Sequence, residues 1–182
     1  MIKAVILDMD GTITQPVIDW KVLRASIGAP LDQTIMQHIR GLGDRDRDRA
    51  EKILLETELL GTQDVALNPG FYELLSEIEQ RGIKKALVTN NHGAAMTNVL
   101  RSHNLTFDVA LSRDDGELKP APDLIELALQ RLACDAADAI GVGDSNLDIT
   151  ACGAANVRCV YLTHGKPRFH HEPSVSELTD LI

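Results

Sequence analysis

Short apolar runs and longer amphipathic stretches alternate along most of the chain. Lys3–Leu7 (KAVIL), Ile83–Val88 (IKKALV), Asp108–Leu111, Ala139–Val142 and Val157–Leu162 are too short for helices and predict buried strands. The stretches between them predict helices. Gly70–Arg81 follows the turn signal Asn68-Pro69 and stops at Gly82, Asn91–His103 follows the second strand, and Pro122–Ala133 opens with a proline suited to a first helical turn. Asn146–Ala154 and Ser174–Leu181 complete the set. Strand and helix in alternation imply an α/β fold, a parallel sheet core flanked by helices.

One segment departs from that rhythm. Between Thr14 and Leu67 no strand pattern occurs, while Val17–Ile27, Leu31–Arg40 and Asp44–Leu60 have helical spacing, punctuated by Gly28, Pro30 and Gly41-Leu42-Gly43. The expected organisation is an α/β core of residues 1–13 and 68–182, interrupted by a small all-helical cap of residues 14–67. Hinges are expected near Thr14–Pro16 and Ala66–Pro69.

Composition narrows the partners. A formal net charge of −9 argues against nucleic acid, which requires a basic face, but leaves room for a small phosphorylated metabolite held locally. No apolar run is long enough to span a bilayer, and the run before Asp8 is too short for a signal-peptide core, so a cytoplasmic location is expected. Cys134, Cys152 and Cys159 lack C-x-x-C spacing and are expected to be reduced core thiols. His170-His171 reads as part of a polar loop.

The candidate chemistry lies where strands end, since ligands of open parallel sheets bind at the carboxyl ends of strands. KAVIL runs into Asp8-Met9-Asp10-Gly11-Thr12, KKALV into Thr89-Asn90-Asn91, and AIGVG into Asp144-Ser145-Asn146-Leu147-Asp148. Lys119 stands just before a predicted helix. Carboxylates that converge repel one another unless a cation neutralises them, and all-oxygen donors select a hard ion such as Mg²⁺. An aspartate can accept a phosphoryl group, a second carboxyl can move the proton, and a lysine and a hydroxyl can hold the phosphoryl oxygens.

These signatures, in this order, resemble the haloacid dehalogenase superfamily, in particular its phosphatase branch with a helical cap after the first motif (phosphoglycolate-phosphatase-like). The resemblance implies an Mg²⁺-dependent hydrolase of a small phosphomonoester that works through an aspartyl-phosphate. It makes Asp8 the nucleophile and Asp10 the general acid/base. Thr89, Asn90 and Lys119 become the phosphate-binding residues. The metal falls to Asp8, the backbone carbonyl of Asp10 and Asp144, with Asp148 in support. Arg45, Arg47 and Arg49, in the run RDRDR, are either a solvated helix face or a source of one substrate contact. If they make none, specificity is expected nearer Trp20.

Other readings remain on the same residues. A phosphomutase of this superfamily would share every motif. True dehalogenases lack the second acidic residue of the first motif, so Asp10 argues against them. A phosphoacceptor signalling module also uses Asp, Thr, Lys and magnesium, but places its acceptor after the third strand. Gly141-Val142-Gly143 lacks the third glycine of a dinucleotide fingerprint, and Asp144 would repel a pyrophosphate.

Overall fold

The computed structural model describes residues 1–182. Six parallel strands form one sheet: β1 (Ala4–Leu7), β2 (Lys84–Val88), β3 (Val109–Leu111), β4 (Ala139–Gly143), β5 (Arg158–Leu162) and β6 (Ser174–Val175), in the order β3-β2-β1-β4-β5-β6. β1 is central and pairs on both sides, with Leu7 opposite Leu87 and Val142. All four of its residues are buried, as expected for a strand covered on both faces.

The two-residue period of the strands sends alternate side chains into two separate cores. Ala4, Ile6, Ala86 and Val88 pack with Leu124 and Ile125 of α6 (Asp123–Leu132) and Ala151 and Cys152 of α7 (Asn146–Ala154). Val5, Leu7 and Leu87 pack with Phe71, Leu74 and Ile78 of α4 (Phe71–Gln80) and Met96 and Val99 of α5 (Gly93–Ser102). The expected α/β architecture is therefore present. No helix is long and apolar enough to cross a membrane.

Between β1 and α4 lie three further helices, α1 (Trp20–Ile27), α2 (Ile35–Gly41) and α3 (Asp44–Thr62), packed around Leu23, Ile39, Ala50 and Leu54. Local caps move the starts of α1 and α2 inward from the expected positions, while α3 begins at Asp44 as expected. The carboxylate of Asp19 accepts from the N–H groups of Lys21 and Val22, and Thr34 forms a capping box with Gln37. The segment leaves and re-enters the rest of the chain side by side. Thr14 bridges to Leu67, Gln15 N–H donates to Ala66 O (2.9 Å), and Asn68 N–H donates to Ile13 O (2.9 Å). Asn68 Nδ2 also donates to the carbonyls of Gly11, Thr12 and Thr14 at 2.9–3.0 Å, which ties the second crossing to the loop after β1.

Two expectations need correction. Ser174–Leu181 is not a helix. Tyr161 N–H donates to Pro173 O and Thr163 N–H to Val175 O, so this edge of the sheet captures the segment as β6, and only Leu178–Leu181 coils, as a 3₁₀ turn. Sheet pairing satisfies backbone groups that so short a helix would leave open. Cys152 and Cys159 are buried free thiols, but Cys134, at the end of α6, is only partly buried.

Candidate active site

The strand order reverses direction at β1, and the candidate residues gather beyond the carboxyl ends of β1, β2 and β4. Asp8 follows β1 directly, and its N–H donates to Val142 O (3.0 Å), which continues the pairing with β4. Two glycines allow the loops to approach. Gly11 has φ +83°, and a Cβ there would lie 2.5 Å from Asp144 Oδ2. A Cβ on Gly143 would lie 2.3 Å from that of Asp148.

Lys119 connects the carboxylates. Its Nζ donates to Asp8 Oδ1 (2.5 Å), Asp148 Oδ1 (2.5 Å) and Val88 O (3.0 Å), in a setting where the lysine is 4% exposed. Burial alone would lower the Lys119 pKa, but Asp148 and Asp8 outweigh it and hold the ammonium form firmly. Asp148 Oδ2 accepts from Ser145 Oγ (2.5 Å) and Ser145 N–H (3.1 Å), capping α7 and fixing the carboxylate toward Lys119.

Carboxylate oxygens of Asp8, Asp144 and Asp148 all lie within 4.8 Å of one another. Burial, and then the charge of Asp148, raise the Asp8 carboxyl well above the usual carboxylate range against the opposing pull of Lys119. Burial and Asp148 raise Asp144 as well, while Arg168 opposes. Such a hard, all-oxygen, mutually repelling set fits a divalent cation such as Mg²⁺. Arg168 Nη2 donates to Asp144 Oδ2 (2.8 Å) and to its backbone oxygen.

Asp10 lies apart from that cluster. Asn91 Nδ2 donates to Asp10 Oδ2 (2.6 Å). Burial pushes the Asp10 carboxyl up to about 6, with Asn91 opposing and Glu58 adding to the rise. A carboxyl in that range can both give and take a proton near neutrality.

The neighbouring polar residues divide the remaining tasks. Thr89, 1% exposed, accepts the Asn91 N–H on its Oγ1 (3.1 Å) and lines the cleft. Asn90 uses its side chain on the Lys119 backbone: Nδ2 donates to Lys119 O (2.9 Å), and Lys119 N–H donates to Oδ1 (3.0 Å).

The helical segment and the strand ends enclose a cleft of about 730 Å³. Arg45, Arg47 and Arg49 do not line it. The buried stripe of α3 runs through Ala50, Leu54, Glu58 and Thr62, and Arg49 sits about 100° round from it with Arg45 one turn earlier. Arg47 spends its guanidinium on Leu42 O (2.8 Å) and on Asp44 (3.8 Å) at the helix start. The arginines that do line the cleft are Arg24, Arg40, Arg113 and Arg168.

Four cleft residues were not singled out from the sequence: Asn91, Glu58, Arg113 and Arg168. Glu58 carried a signal, being a carboxylate at four-residue spacing from the apolar positions Ala50 and Leu54. It is 1% exposed and accepts from Arg113 Nη1 (2.5 Å) and His92 N–H (3.1 Å). Burial raises its carboxyl, while Arg113 opposes. Asn91 stood beside residues already chosen. Arg113 and Arg168 lie on loops with no periodic pattern to mark them.

Comparison with known proteins follows this geometry. A haloacid dehalogenase-like hydrolase family profile matches residues 14–162. The chain is 29% identical over 163 residues to a haloacid dehalogenase-like hydrolase domain-containing protein of Arabidopsis thaliana, covering 84% of this chain and 66% of that protein's length. It is 26% identical over 213 residues to phosphoglycolate phosphatase 1 of Pseudomonas aeruginosa, covering 99% of this chain and 78% of that protein. A beta-phosphoglucomutase crystal structure from Clostridium difficile superposes with a TM-score of 0.79 at 20% identity, over 100% of this chain and 94% of that one, a likeness of fold. The chain belongs to the haloacid dehalogenase-like hydrolase family.

Proposed function

We propose that this protein hydrolyses a small phosphomonoester with Mg²⁺, through a phosphoryl group carried on Asp8. The observation that carries the reading is the pair of carboxyls on one loop with different partners, Lys119 on Asp8 and Asn91 on Asp10. Asp8 is held by an ammonium group beside a carboxylate cluster. Asp10, two residues on, is half-buried, and desolvation pushes its carboxyl up to about 6. One suits a phosphoryl acceptor and the other a proton carrier.

Asp8 and Asp144 would hold the metal with the backbone carbonyl of Asp10, and Asp148 would support them. Bound there, the ion neutralises the carboxylates and the phosphoryl oxygens that approach them. An Asp8 carboxylate oxygen attacks phosphorus in line with the ester oxygen, and Asp10 delivers its proton to that oxygen as the P–O bond breaks. Asp10, now a carboxylate, takes a proton from water as the water attacks the aspartyl-phosphate. Inorganic phosphate leaves and both carboxyls return to their starting forms. Lys119 and Thr89 hold the transferring oxygens, and Asn90 serves by holding the Lys119 backbone.

Residues 14–67 act as a cap that excludes bulk water and reads the leaving group, on a core of residues 1–13 and 68–182. The paired crossing at Thr14 and Leu67 is a suitable pivot. The partner is a small phosphorylated metabolite in the cytoplasm, without nucleic acid or membrane.

Phosphate release from a panel of esters, with Mg²⁺ and with chelator, tests the reading together with Asp8→Asn. Turnover should require both the metal and Asp8, and substantial phosphate release by folded Asp8→Asn protein would overturn the covalent route. Product analysis separates hydrolysis from phosphomutase chemistry, in which the ester reappears as its isomer.

A further inference from the structure

Large apolar side chains exposed to water are few in this protein, and several collect in one place. Val17 (48% exposed), Trp20 (38%), Leu31 (88%) and Leu147 (37%) all line the cleft that leads to Asp8. The arrangement is built. Ile18, next to Val17, packs against α3 at Gly61, where a Cβ would lie 2.9 Å from Ile18 Cγ1, so the absence of a side chain there seats the linker at the cleft edge. Trp20 opens α1, where Asp19 caps the helix and sets its start.

The charges of the same cleft are already spoken for. Arg40 Nη1 donates to both oxygens of Glu117 (2.8 and 2.9 Å), Arg113 to Glu58 (2.5 Å), and Arg24 Nη1 to the carbonyls of Pro30 (2.7 Å) and Gln33 (2.9 Å). Arg168 is at the reacting end, on Asp144, where the transferring phosphoryl group itself is the anion. Of the five cationic side chains that line the cleft, Lys119, Arg40, Arg113 and Arg168 are paired with carboxylates and Arg24 is held by two carbonyls, so a second anionic group on the substrate would have to displace a contact already made. Stripping an anion of water without a partner is costly, whereas covering exposed apolar surface is favourable.

We infer that the substrate is a phosphate monoester of an uncharged alcohol or phenol with an apolar face, which lies against Trp20 and its apolar neighbours. This rests on the phosphatase reading and narrows it, and it sets the cleft apart from one made for a carboxylate-bearing or bisphosphorylated ester.

The only tryptophan of the chain is Trp20, so its fluorescence reports from the proposed wall. Phenyl phosphate and phosphoglycolate are titrated with Mg²⁺ into Asp8→Asn protein while Trp20 emission is followed, and the wild-type protein is assayed for phosphate release from both and from methyl phosphate. The expected result is phenyl phosphate binding at least ten-fold tighter than phosphoglycolate, with Trp20 emission altered, and a matching preference in kcat/KM. Trp20→Ala should lower the ratio of kcat/KM for phenyl over methyl phosphate by at least ten-fold. Equal or tighter binding of phosphoglycolate, or an unchanged ratio in Trp20→Ala, would overturn the inference. Preferential phenyl phosphate binding without phosphate release from any ester would uphold the cleft's chemistry and sink the phosphatase reading instead. Absence of both binding and release would remove both.

Discussion

Asn90 and Lys119 are joined by two hydrogen bonds, with the side-chain amide of the first pairing both backbone groups of the second at 2.9 and 3.0 Å. The amide mimics a strand partner for a loop residue, and so fixes where the Lys119 side chain begins its reach to Asp8. Asn90→Ala should cost about 1–2 kcal/mol of stability, the net worth of two such bonds. It should lower kcat by about 10-fold or more, because small displacements of a catalytic group are expensive. Urea unfolding and phosphate release on the same preparation check this. An unchanged kcat would mean that Lys119 needs no such support.

Lys119 itself neutralises two carboxylates, the buried Asp148 and the half-buried Asp8. Removing it as Lys119→Met should leave them unpaired and destabilise the metal-free protein by about 3–5 kcal/mol at neutral pH. The deficit should shrink on acidification, since protonation removes the repelling charges. Denaturant titrations at neutral and acidic pH give both numbers, and a pH-independent deficit would assign the loss to packing.

The Asp10 carboxyl is raised from its ordinary 3.8 to about 6, chiefly by burial. Between those values the folded state binds more proton than the unfolded state, so stability is greatest at the acidic side and is lost as pH rises through about 6. The cost above 6 is about 3 kcal/mol at most. Asp10→Asn should remove that cost, making the chelated protein more stable than wild type at pH 7.5 and lessening the fall of its stability between pH 4 and 6. It should also slow turnover by about 10²-fold or more, as loss of a general acid/base does. Thermal unfolding across pH checks the first expectation and steady-state kinetics the second.

Asp144 should report the metal without any turnover. Mg²⁺ at about 100 times its dissociation constant should stabilise the wild-type protein by about 2.7 kcal/mol, by mass action on the folded state. Asp144→Ala should lose most of that response. Thermal shift against Mg²⁺ concentration measures it, and an undiminished shift in Asp144→Ala would move the ion elsewhere.

Much of this protein was determined by its sequence alone. The apolar runs of β1 to β5 and the helical spacing between them settle the α/β architecture, because local periodicity and burial act together over each element. Asp8, Asp10, Thr89, Lys119 and Asp144 were legible for the same reason, since each stands beside the end of a recognisable strand or before a helix.

Long-range pairing decided the rest. Ser174-Val175 carries too little pattern to identify itself as a strand, and becomes one only because the edge of β5 offers unpaired backbone groups. The division of labour between Asn90, which grips Lys119, and Asn91, which reaches Asp10, depends on side-chain directions that two adjacent identical residues cannot disclose. Arg45 and Arg49 turn away from the cleft because Ala50, Leu54 and Glu58 set the buried face of α3, while Arg24, Arg40, Arg113 and Arg168 reach it from four separate elements or loops. Which arginines face a cleft, and which carboxylates already occupy them, is settled only when segments distant in the chain are packed together, because charge pairing acts through space and leaves no period in the sequence.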